Sequence, residues 1–346
     1  MPFDFPQKNI GYFCSYVPEE LLIAAGFNPV RIIPGATDAS LSQTHLQSYT
    51  CYLARACLHR AIKGELNSLE GVIFTHTCDT MQCLADIWPQ ACPQKVVEVF
   101  NLPTVLSSQE ALPYTLAELE RLKGRLESLT GITIGEEALK EAVKIANRKR
   151  ALLQSLASKR EKMRASHFFS LVNKALTMPV GGAISFLENL EVEEEEEIPG
   201  KVRIVLAGST LDDLTLVDFI EESGGKVVVD DFCNGTRYFQ TLADEAIPPL
   251  EAIARRLLER PICPCKFLKP GAYSRSLLEK TLQAKAQGLI LVRQKFCDPW
   301  GWEFPLMQAL FQEKKVPILM VEVEQPGSLG PIATRIQAFL EMIVEG

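Results

Sequence analysis

The sequence predicts an α/β protein made of two doubly wound parallel-sheet domains joined by a helical segment. In the first and last thirds of the chain, short β-prone apolar runs alternate with helical patterns, as in parallel sheets. Helical periodicity dominates the middle third. Two similar units, residues 71–89 and 288–305, each pass from a buried strand through a Cys-Asp pair into a helix. The expected domains are residues 1–110, 111–199 and 200–346.

The first predicted strand, Asn9–Cys14, leads into a helix that ends at Gly26. Ser15 is a possible cap of this helix. Glu19 and Glu20 lie in its first turn, where the positive end of the helix dipole favours acidic side chains. The pattern therefore predicts a strand, a turn and a short helix with two acids at its start.

The other elements of the first domain continue the alternation of strands and helices. They are a strand at Asn28–Ile33, a long helix from about Ser42 to Lys63, a strand at Val72–Thr75, a helix after Cys78 and a strand at Lys95–Phe100. Cys51 and Cys57 are expected on the long helix. In the helix after Cys78, apolar residues recur at helical spacing up to Trp88, which predicts a buried face.

Residues 114–190 are predicted to be helical apart from a brief strand at 131–135. Their many Lys and Arg residues are typical of a solvated helix face and, less often, of a docking surface for an acidic partner. The acidic run at 191–200 is a candidate linker. The second domain repeats the α/β pattern, with strands at Lys201–Ser209, Lys226–Cys233, Leu289–Val292 and Val316–Glu324, and with helices at Asp212–Gly225, about Gln240–Arg260, before residue 288 and from Ile332.

The composition is that of a globular protein, with 47% apolar and 23% charged residues. A net charge of −7 argues against nucleic acid as a partner, because phosphate binding requires a basic surface. Residues 1–20 lack a signal-peptide pattern, and no apolar run approaches the length of a membrane span. We therefore expect a cytoplasmic protein with no membrane partner.

The chain contains ten cysteines, more than packing alone requires. Disulfides are rare in the cytoplasm, where clustered thiols more often bind metal. Four cysteines follow predicted strands, and the carboxyl ends of parallel strands share one sheet edge, so these thiols can converge. The four are Cys14, Cys78, Cys233 and Cys297. Cys263 and Cys265 form a C-P-C turn, whereas Cys83 and Cys92 are expected to be core or surface thiols.

Thiolates gathered in one place are ligands for zinc or for iron–sulfur clusters. The spacings match neither the C-x2-C pairs of zinc ribbons nor ferredoxin, so ligands from separate loops point to a cluster between domains. The sequence has no Gly-rich nucleotide-binding fingerprint. Beside a metal site, Glu19 or Glu20 could act as an acid or base, although the helix dipole explains both more simply.

Four segments carry a family resemblance. They are GYFCSYVPEELLIAAGFNPVRI (11–32), TCDTMQCLADIW (77–88), VVVDDFCNGTR (227–237) and KFCDPWGWEFP (295–305). Together they resemble the signature segments of the 2-hydroxyacyl-CoA dehydratase and benzoyl-CoA reductase subunit family, in particular the D-component of 2-hydroxyglutaryl-CoA dehydratase. The resemblance runs in order through most of the chain and omits mainly the helical middle.

The resemblance implies Rossmann-like α/β domains with an iron–sulfur cluster between them. It also implies an ATP-hydrolysing activator protein that supplies a low-potential electron. Dehydratase subunits bind a 4Fe-4S cluster through three cysteines, which by motif position are Cys51, Cys78 and Cys297, and the fourth iron is open to a small ligand or substrate. The helix-start glutamate of the family, which lies near the substrate, corresponds to Glu19 or Glu20, with Glu20 preferred.

The chain has more thiols at motif positions than a three-ligand subunit needs. Cys14, Cys233 and the pair Cys263/Cys265 could form a second trio. This pattern resembles the branch of the family whose members carry a double-cubane 8Fe-9S cluster. Members of that branch are homodimeric reductases of small molecules with their own ATP-dependent activator.

The sequence is compatible with three classes of function. The leading class is a redox enzyme, either an ATP-activated iron–sulfur reductase or a dehydratase subunit that acts on a CoA thioester, in a homodimer or a heterodimer with a homologous chain. The second is a partner subunit that relays an electron while the homologous chain binds substrate. The third is a zinc-binding structural or regulatory protein.

Overall fold

The computed structural model describes residues 8–35, 38–92, 96–192, 200–325, 327 and 329–345. It contains two four-stranded parallel sheets flanked by helices, which confirms the predicted α/β class. Among the described residues, no helix combines the length and apolar character needed to cross a bilayer.

The first sheet has the strand order β2-β1-β3-β4. Its strands are β1 (Lys8–Tyr12), β2 (Phe27–Arg31), β3 (Leu69–Thr75) and β4 (Val96–Phe100). The connecting helices are α1 (Glu19–Ala24), α2 (Tyr52–Ile62) and α3 (Asp79–Ala91), and a 3-10 turn covers Ser40–Thr44. Met81, Leu84, Ala85 and Trp88 are all buried, as the helical spacing predicted. Gly26 ends α1 with a φ of +82°, a conformation that glycine adopts without strain.

Four helices form the middle of the chain: α4 (Ala111–Thr130), α5 (Glu136–Ser158), α6 (Ala165–Thr177) and α7 (Val180–Glu188). Helix α5 packs against α1 and α7, and buried leucines of α4 join the core beneath the first sheet. Helix α6 packs on the helix Leu214–Glu222 of the second domain, so its aromatic face belongs to the largest core cluster. The helical segment therefore contributes to the cores of both sheets.

The second sheet has the equivalent order, β6-β5-β7-β8. Its strands are β5 (Val202–Gly208), β6 (Gly225–Asp231), β7 (Gly288–Gln294) and β8 (Ile318–Val323). Its helices are α8 (Leu214–Glu222), α9 (Thr236–Phe239), α10 (Pro249–Glu259), α11 (Ala272–Gln283), α12 (Asp298–Glu313) and α13 (Gly330–Glu345). In each sheet, the first strand in the chain lies between the second and the third. The carboxyl ends of these central strands border the crevice where parallel sheets bind ligands.

Several predicted elements were wrong in detail. The long helix expected over residues 42–63 is a 3-10 turn, a loop and the shorter α2. The helix expected over residues 240–260 begins only at Pro249, as α10, and a loop separates it from α9. Residues 131–135 form a loop that joins α4 to α5, not a strand. Ser15 does not cap α1, because its hydroxyl donates to the carbonyl of Cys233 in the other domain. Most of the candidate linker lies outside the described residues.

Candidate functional site

Three cysteines occupy the same position relative to a helix. Cys51, Cys78 and Cys297 are the N-cap residues of α2, α3 and α12. For Cys78 and Cys297 this is the predicted strand–cysteine–helix arrangement. Cys51 was expected inside a helix and instead precedes one, since the chain is non-helical just before it. The positive end of a helix dipole stabilises a thiolate, so all three positions suit anionic sulfur.

A cavity of about 370 Å³ lies between the domains and brings these three cysteines together with Cys265. Its volume is within the range of small-molecule sites. The other lining residues are Thr77, Asp79, Thr80, Pro264, Phe296, Asp298, Pro299, Trp302 and Glu303. We refer to Cys51, Cys78, Cys265 and Cys297 as the cavity thiols.

Three further cysteines continue the group away from the cavity. Cys263 hydrogen-bonds to Cys233 and to Cys265, and Cys265 hydrogen-bonds in turn to Cys78. Cys14 interacts electrostatically with Cys233. We refer to Cys14, Cys233 and Cys263 as the inner thiols. The structure thus brings all seven candidate cysteines into one continuous group, with three from the first domain and four from the second.

The thiols differ in pKa, because their surroundings stabilise the thiolate to different degrees. Burial raises the pKa of Cys51 to about 11. Hydrogen bonding to Cys265 lowers the pKa of Cys78, and hydrogen bonds with Cys233 and Cys265 lower the pKa of Cys263. One cavity thiol and one inner thiol are therefore the most acidic of the group.

Buried cations stand behind the inner thiols. Arg237, which is 1% exposed, interacts electrostatically with Cys233 and Cys263. Lys266 is buried, lies near Cys14 and donates to the carbonyls of His76 and Leu102 in the first domain at 3.2 and 3.1 Å. This side of the site is positively charged and is fixed across the domain boundary.

The two glutamates proposed as catalytic residues lie in a buried ion-pair network. Glu19 accepts hydrogen bonds from Lys149 at 3.0 Å and Tyr238 at 2.6 Å. Glu20 pairs with Arg150 at 2.6 Å and Arg256 at 2.9 Å. Burial alone would raise the pKa of Glu19, but the neighbouring cations outweigh it and hold the pKa at about 2.

This placement does not favour the acid–base hypothesis for Glu19 and Glu20. Neither residue lines the cavity, and each is almost fully buried. A carboxylate held ionised by cations is a poor proton donor or acceptor near neutral pH.

The expectation of a solvated basic face was wrong for Lys149, Arg150 and Arg160, which are buried and paired with acids.

The remaining cysteines lie apart from the cavity. Cys57 is buried inside α2, and burial raises the pKa of its thiol. Cys92 is buried in the core behind the first sheet and Cys83 is exposed on α3, as expected for core and surface thiols. All ten cysteines lie within the described ranges, and none forms a disulfide.

Within the described part of the chain, no three His, Cys, Asp or Glu side chains are placed to hold a single metal ion. A single zinc ion needs all its ligands around one point, with Zn–S distances of about 2.3 Å. In an iron–sulfur cluster each thiolate binds a different iron, so the sulfurs stand farther apart. Thiolate sulfur is a ligand of both zinc and iron–sulfur clusters, so the donor chemistry of this group is compatible with either.

The sequence matches the family described as 2-hydroxyglutaryl-CoA dehydratase, D-component, over residues 14–343. The chain belongs to this family. It is 29% identical over 351 residues to the lactoyl-CoA dehydratase subunit beta of Anaerotignum propionicum, with 96% of this chain and 91% of the relative covered. It is 28% identical over 357 residues to a benzoyl-CoA reductase subunit of Thauera aromatica, with 98% and 92% covered.

A third relative is the (R)-2-hydroxyglutaryl-CoA dehydratase subunit beta of Acidaminococcus fermentans. Identity is 25% over 353 residues, which cover 97% of this chain and 93% of the relative. This member of the D-component family therefore matches dehydratase and reductase subunits over nearly their full length. The comparisons confirm the family predicted from the four sequence segments.

Sequence reasoning missed several residues of the site in this family member. Tyr16 and Arg237 adjoin the inner thiols and Arg260 packs on Tyr16, but the three residues come from separate segments, so no local spacing links them. Trp302 lines the cavity and is 84% exposed. It lies in the segment KFCDPWGWEFP, three positions after Pro299 in the first turn of α12. An aromatic residue at this position was the only sign in the sequence that Trp302 belongs to the site.

Proposed function

We propose that this chain is an ATP-activated iron–sulfur reductase of the double-cubane type within its family. The observation that carries the proposal is the unbroken group of seven thiols between the two domains. A single cubane has four irons and so uses at most four thiolates, whereas a cavity trio and an inner trio would suit two cubanes.

The residues present fit an iron–sulfur cluster. Cys51, Cys78 and Cys297 would hold the cavity half, where three helix starts stabilise anionic sulfur. Cys14, Cys233 and Cys263 would hold the inner half. Cys265 contacts both groups and would be the alternative ligand to Cys263. When bound, the cluster would supply one-electron chemistry at low potential.

The protein's own residues would shape the rest of the site. The cavity wall would admit a small substrate beside the cavity thiols, and Trp302 would cover it from the solvent side. The ion pairs of Glu19 and Glu20 would hold α1, α5 and α10 together and so position the domains on either side of the thiols. We assign both glutamates this positioning role instead of proton transfer.

Electrons would come from an ATP-hydrolysing iron–sulfur activator protein. This part of the proposal rests on the family and on the absence of a nucleotide-binding fingerprint in the sequence, which leaves ATP hydrolysis to another protein. Free thiols in this number suit a reducing compartment, so we propose a cytoplasmic protein.

A second candidate function is a dehydratase or benzoyl-CoA reductase-like subunit with one 4Fe-4S cluster. The relatives favour it, because they are named as beta subunits of dehydratases and as one of the subunits of a reductase. Under this proposal Cys51, Cys78 and Cys297 would hold the cluster, and the chain would pair with a homologous subunit. It would then bind an acyl-CoA substrate itself or relay an electron to its partner.

Metal analysis of the anaerobically purified chain separates these candidates. We expect about eight irons per chain for the double cubane and about four for the single cluster, with matching acid-labile sulfide. A colourless protein with zinc and no iron would contradict both. Acyl-CoA binding by the isolated chain then distinguishes a catalytic subunit from a relay subunit, since a relay should show no affinity for the thioester.

A further inference from the structure

Three buried side chains near the inner thiols carry hydrogen-bond donors that have no partner among the described residues. They are Tyr16, through its hydroxyl, Arg237, through Nη1, and Arg260, through Nε and Nη1. The side chains are only 2%, 1% and 5% exposed. Leaving a buried donor without an acceptor destabilises the fold, so several such donors in one place call for an explanation.

These donors form one connected group. The guanidinium of Arg260 lies over the ring of Tyr16, with 4.4 Å between its central carbon and the ring centroid. Its Nη2 donates to the backbone carbonyl of Arg237 at 2.6 Å. Cys14 and Cys263 both interact electrostatically with the hydroxyl of Tyr16, and Arg237 interacts electrostatically with Cys233 and Cys263. Tyr16 and Arg237 thus adjoin the inner thiols, and Arg260 packs against both of these residues.

The structure also holds these side chains in place. The Nε of Arg237 lies 2.8 Å from Asp231, and its Nη2 donates to the carbonyls of Gly208 and Asp231. These contacts leave Nη1 of Arg237 without a partner among the described residues. The unpartnered donors are therefore the free ends of anchored groups, which cannot reorient at little cost to find an acceptor elsewhere.

We propose that Tyr16, Arg237 and Arg260 are positioning residues that donate hydrogen bonds to the anionic sulfur of an iron–sulfur group held by the inner thiols. This inference rests on the proposed function and extends it to the residues around the ligands. Hydrogen bonds to sulfur and nearby positive charge stabilise the more negative, reduced state of a cluster and so raise its reduction potential. The three residues would both retain the inner group and favour its reduction.

Tyr16→Phe is the sharpest test, because it removes one hydroxyl and keeps the ring beneath Arg260. In the metal-free chain the hydroxyl has no partner, so the variant should unfold at the same or a higher denaturant concentration than the wild type. In the anaerobically reconstituted chain, the midpoint potential should become more negative. Iron should also be lost to a chelator about 10- to 100-fold more readily, as for other residues around metal ligands.

Tyr12→Phe is the matched control. Its hydroxyl is equally buried but donates to Glu19 at 2.7 Å. This variant should lose stability with or without iron and leave the midpoint potential unchanged. Arg260→Gln and Arg260→Lys form a second pair, in which Lys should restore part of the potential that Gln loses because it keeps the charge.

The outcomes separate this inference from the proposed function. An unchanged potential and unchanged iron retention in both Tyr16→Phe and Arg260→Gln would overturn the inference. Full iron content in a chain in which Cys14, Cys233 and Cys263 are all replaced by Ser would also overturn the inference. A cluster held by the cavity thiols would be compatible with that result. A wild-type chain that takes up no iron would instead overturn the proposed function.

Discussion

The interface between the domains has an acidic side and a cationic side, and each carries its own group of thiols. Around the cavity thiols lie the carboxylates of Asp79, Asp298 and Glu303, and the cavity opens toward solvent past Trp302. Around the inner thiols lie Arg237 and other buried cations. Cys265 contacts both groups and joins them.

The difference assigns different roles to the two groups. A pocket of buried cations with unpartnered donors suits an anion that stays bound, since exchange would uncover the charges again. An open cavity bordered by carboxylates allows a small molecule to exchange with solvent, and little positive charge lies near that molecule. We therefore expect the inner thiols to hold a group that does not exchange, and the cavity thiols to hold the part that a small molecule can reach.

The largest expected effect is the loss of iron on replacing Cys78 with Ser. Cys78 lines the cavity and is also hydrogen-bonded through Cys265 to the inner thiols, so its removal affects both groups. We expect the variant to lose most of its iron and sulfide, and Cys14→Ser, at the far end of the group, to lose about half of eight irons.

Cys83→Ser is the matched control for this experiment. Cys83 lies on the same helix, α3, but is exposed and does not line the cavity. It should keep the iron content and the absorption spectrum of the wild type. Full iron content in Cys78→Ser would contradict the ligand assignment and with it the division into two thiol groups.

The next largest effect should come from Arg150→Met, which breaks the buried ion-pair network of Glu19 and Glu20. Arg150 pairs with both Glu19 and Glu20 and is fully buried. Removing one partner of a buried ion pair leaves an uncompensated charge and typically costs about 3–5 kcal/mol. Chemical denaturation of the metal-free chain measures the change in the free energy of unfolding.

Lys140→Met controls for the loss of a positive charge from the same helix, α5. Lys140 pairs with Glu136 and Glu137 on the surface, where solvent screens such pairs and they contribute little to stability. If both variants lose the same small amount of stability, the buried ion pairs of Arg150 contribute no more than surface ones.

A smaller, pH-dependent effect is expected at Asp212, an acid of the second domain that meets the first. It accepts a hydrogen bond from the backbone of Gly35 and lines a small cavity with Tyr52. One of its carboxyl oxygens has no partner among the described residues. Burial raises its pKa from 3.8 to about 6, because no cation offsets the desolvation.

The sign of the pH dependence follows from the raised pKa. The folded state binds the proton more tightly than the unfolded state, so Asp212 contributes stability below about pH 4 that is lost as the pH rises through 6. Asp212→Asn should therefore be more stable than the wild type at pH 8, by up to about 3 kcal/mol for a pKa difference of this size. At pH 4 the two should be alike.

Asp213→Asn provides the comparison for Asp212. The side chain of Asp213 caps α8 by accepting from the backbone of Thr215, and Asn is an equally good cap. It should show no gain at pH 8. Equal gains in both variants would show that general surface charge, and not the buried carboxyl of Asp212, causes the pH dependence.

The sequence allowed the cavity side to be predicted better than the cationic side. Cys78 and Cys297 each follow a buried strand and start a helix, and these are local patterns that the folded chain keeps. Cys51 was placed inside a helix because nothing in the preceding residues marks the loop. The family resemblance, and not the predicted helix, assigned Cys51 to the same trio.

The cationic side depends on contacts between distant segments. Lys149 and Arg150 lie in a helix whose polar residues have the pattern of a solvated face, and only the packing of α5 against α1 brings them to Glu19 and Glu20. The donors of Tyr16, Arg237 and Arg260 are likewise separated by more than 200 residues at the extremes. Composition and periodicity carry no information about such pairs.

The smallest change in stability is expected for Trp302→Ala, which tests the open side alone. A single exposed aromatic residue is common on protein surfaces, but this one lines the cavity beside the thiols. Its removal should change the free energy of unfolding by less than about 0.5 kcal/mol, since most of the side chain is in solvent. It should nevertheless weaken binding of a small ligand to the cavity several-fold, because the ring covers part of that ligand.

Titration calorimetry with an acyl-CoA thioester, on the reconstituted chain and its Trp302→Ala variant, measures this effect. Tyr114→Ala is the control, because Tyr114 is also an exposed aromatic residue, on α4, but does not line the cavity. Weaker binding in Trp302→Ala alone would identify the open side as the substrate face. Equal binding in all three proteins would remove Trp302 from the site, and a wild type without affinity for the thioester would favour a different small substrate or a relay subunit. In each case the iron content and potential should stay those of the wild type, since the inner thiols do not depend on this wall of the cavity.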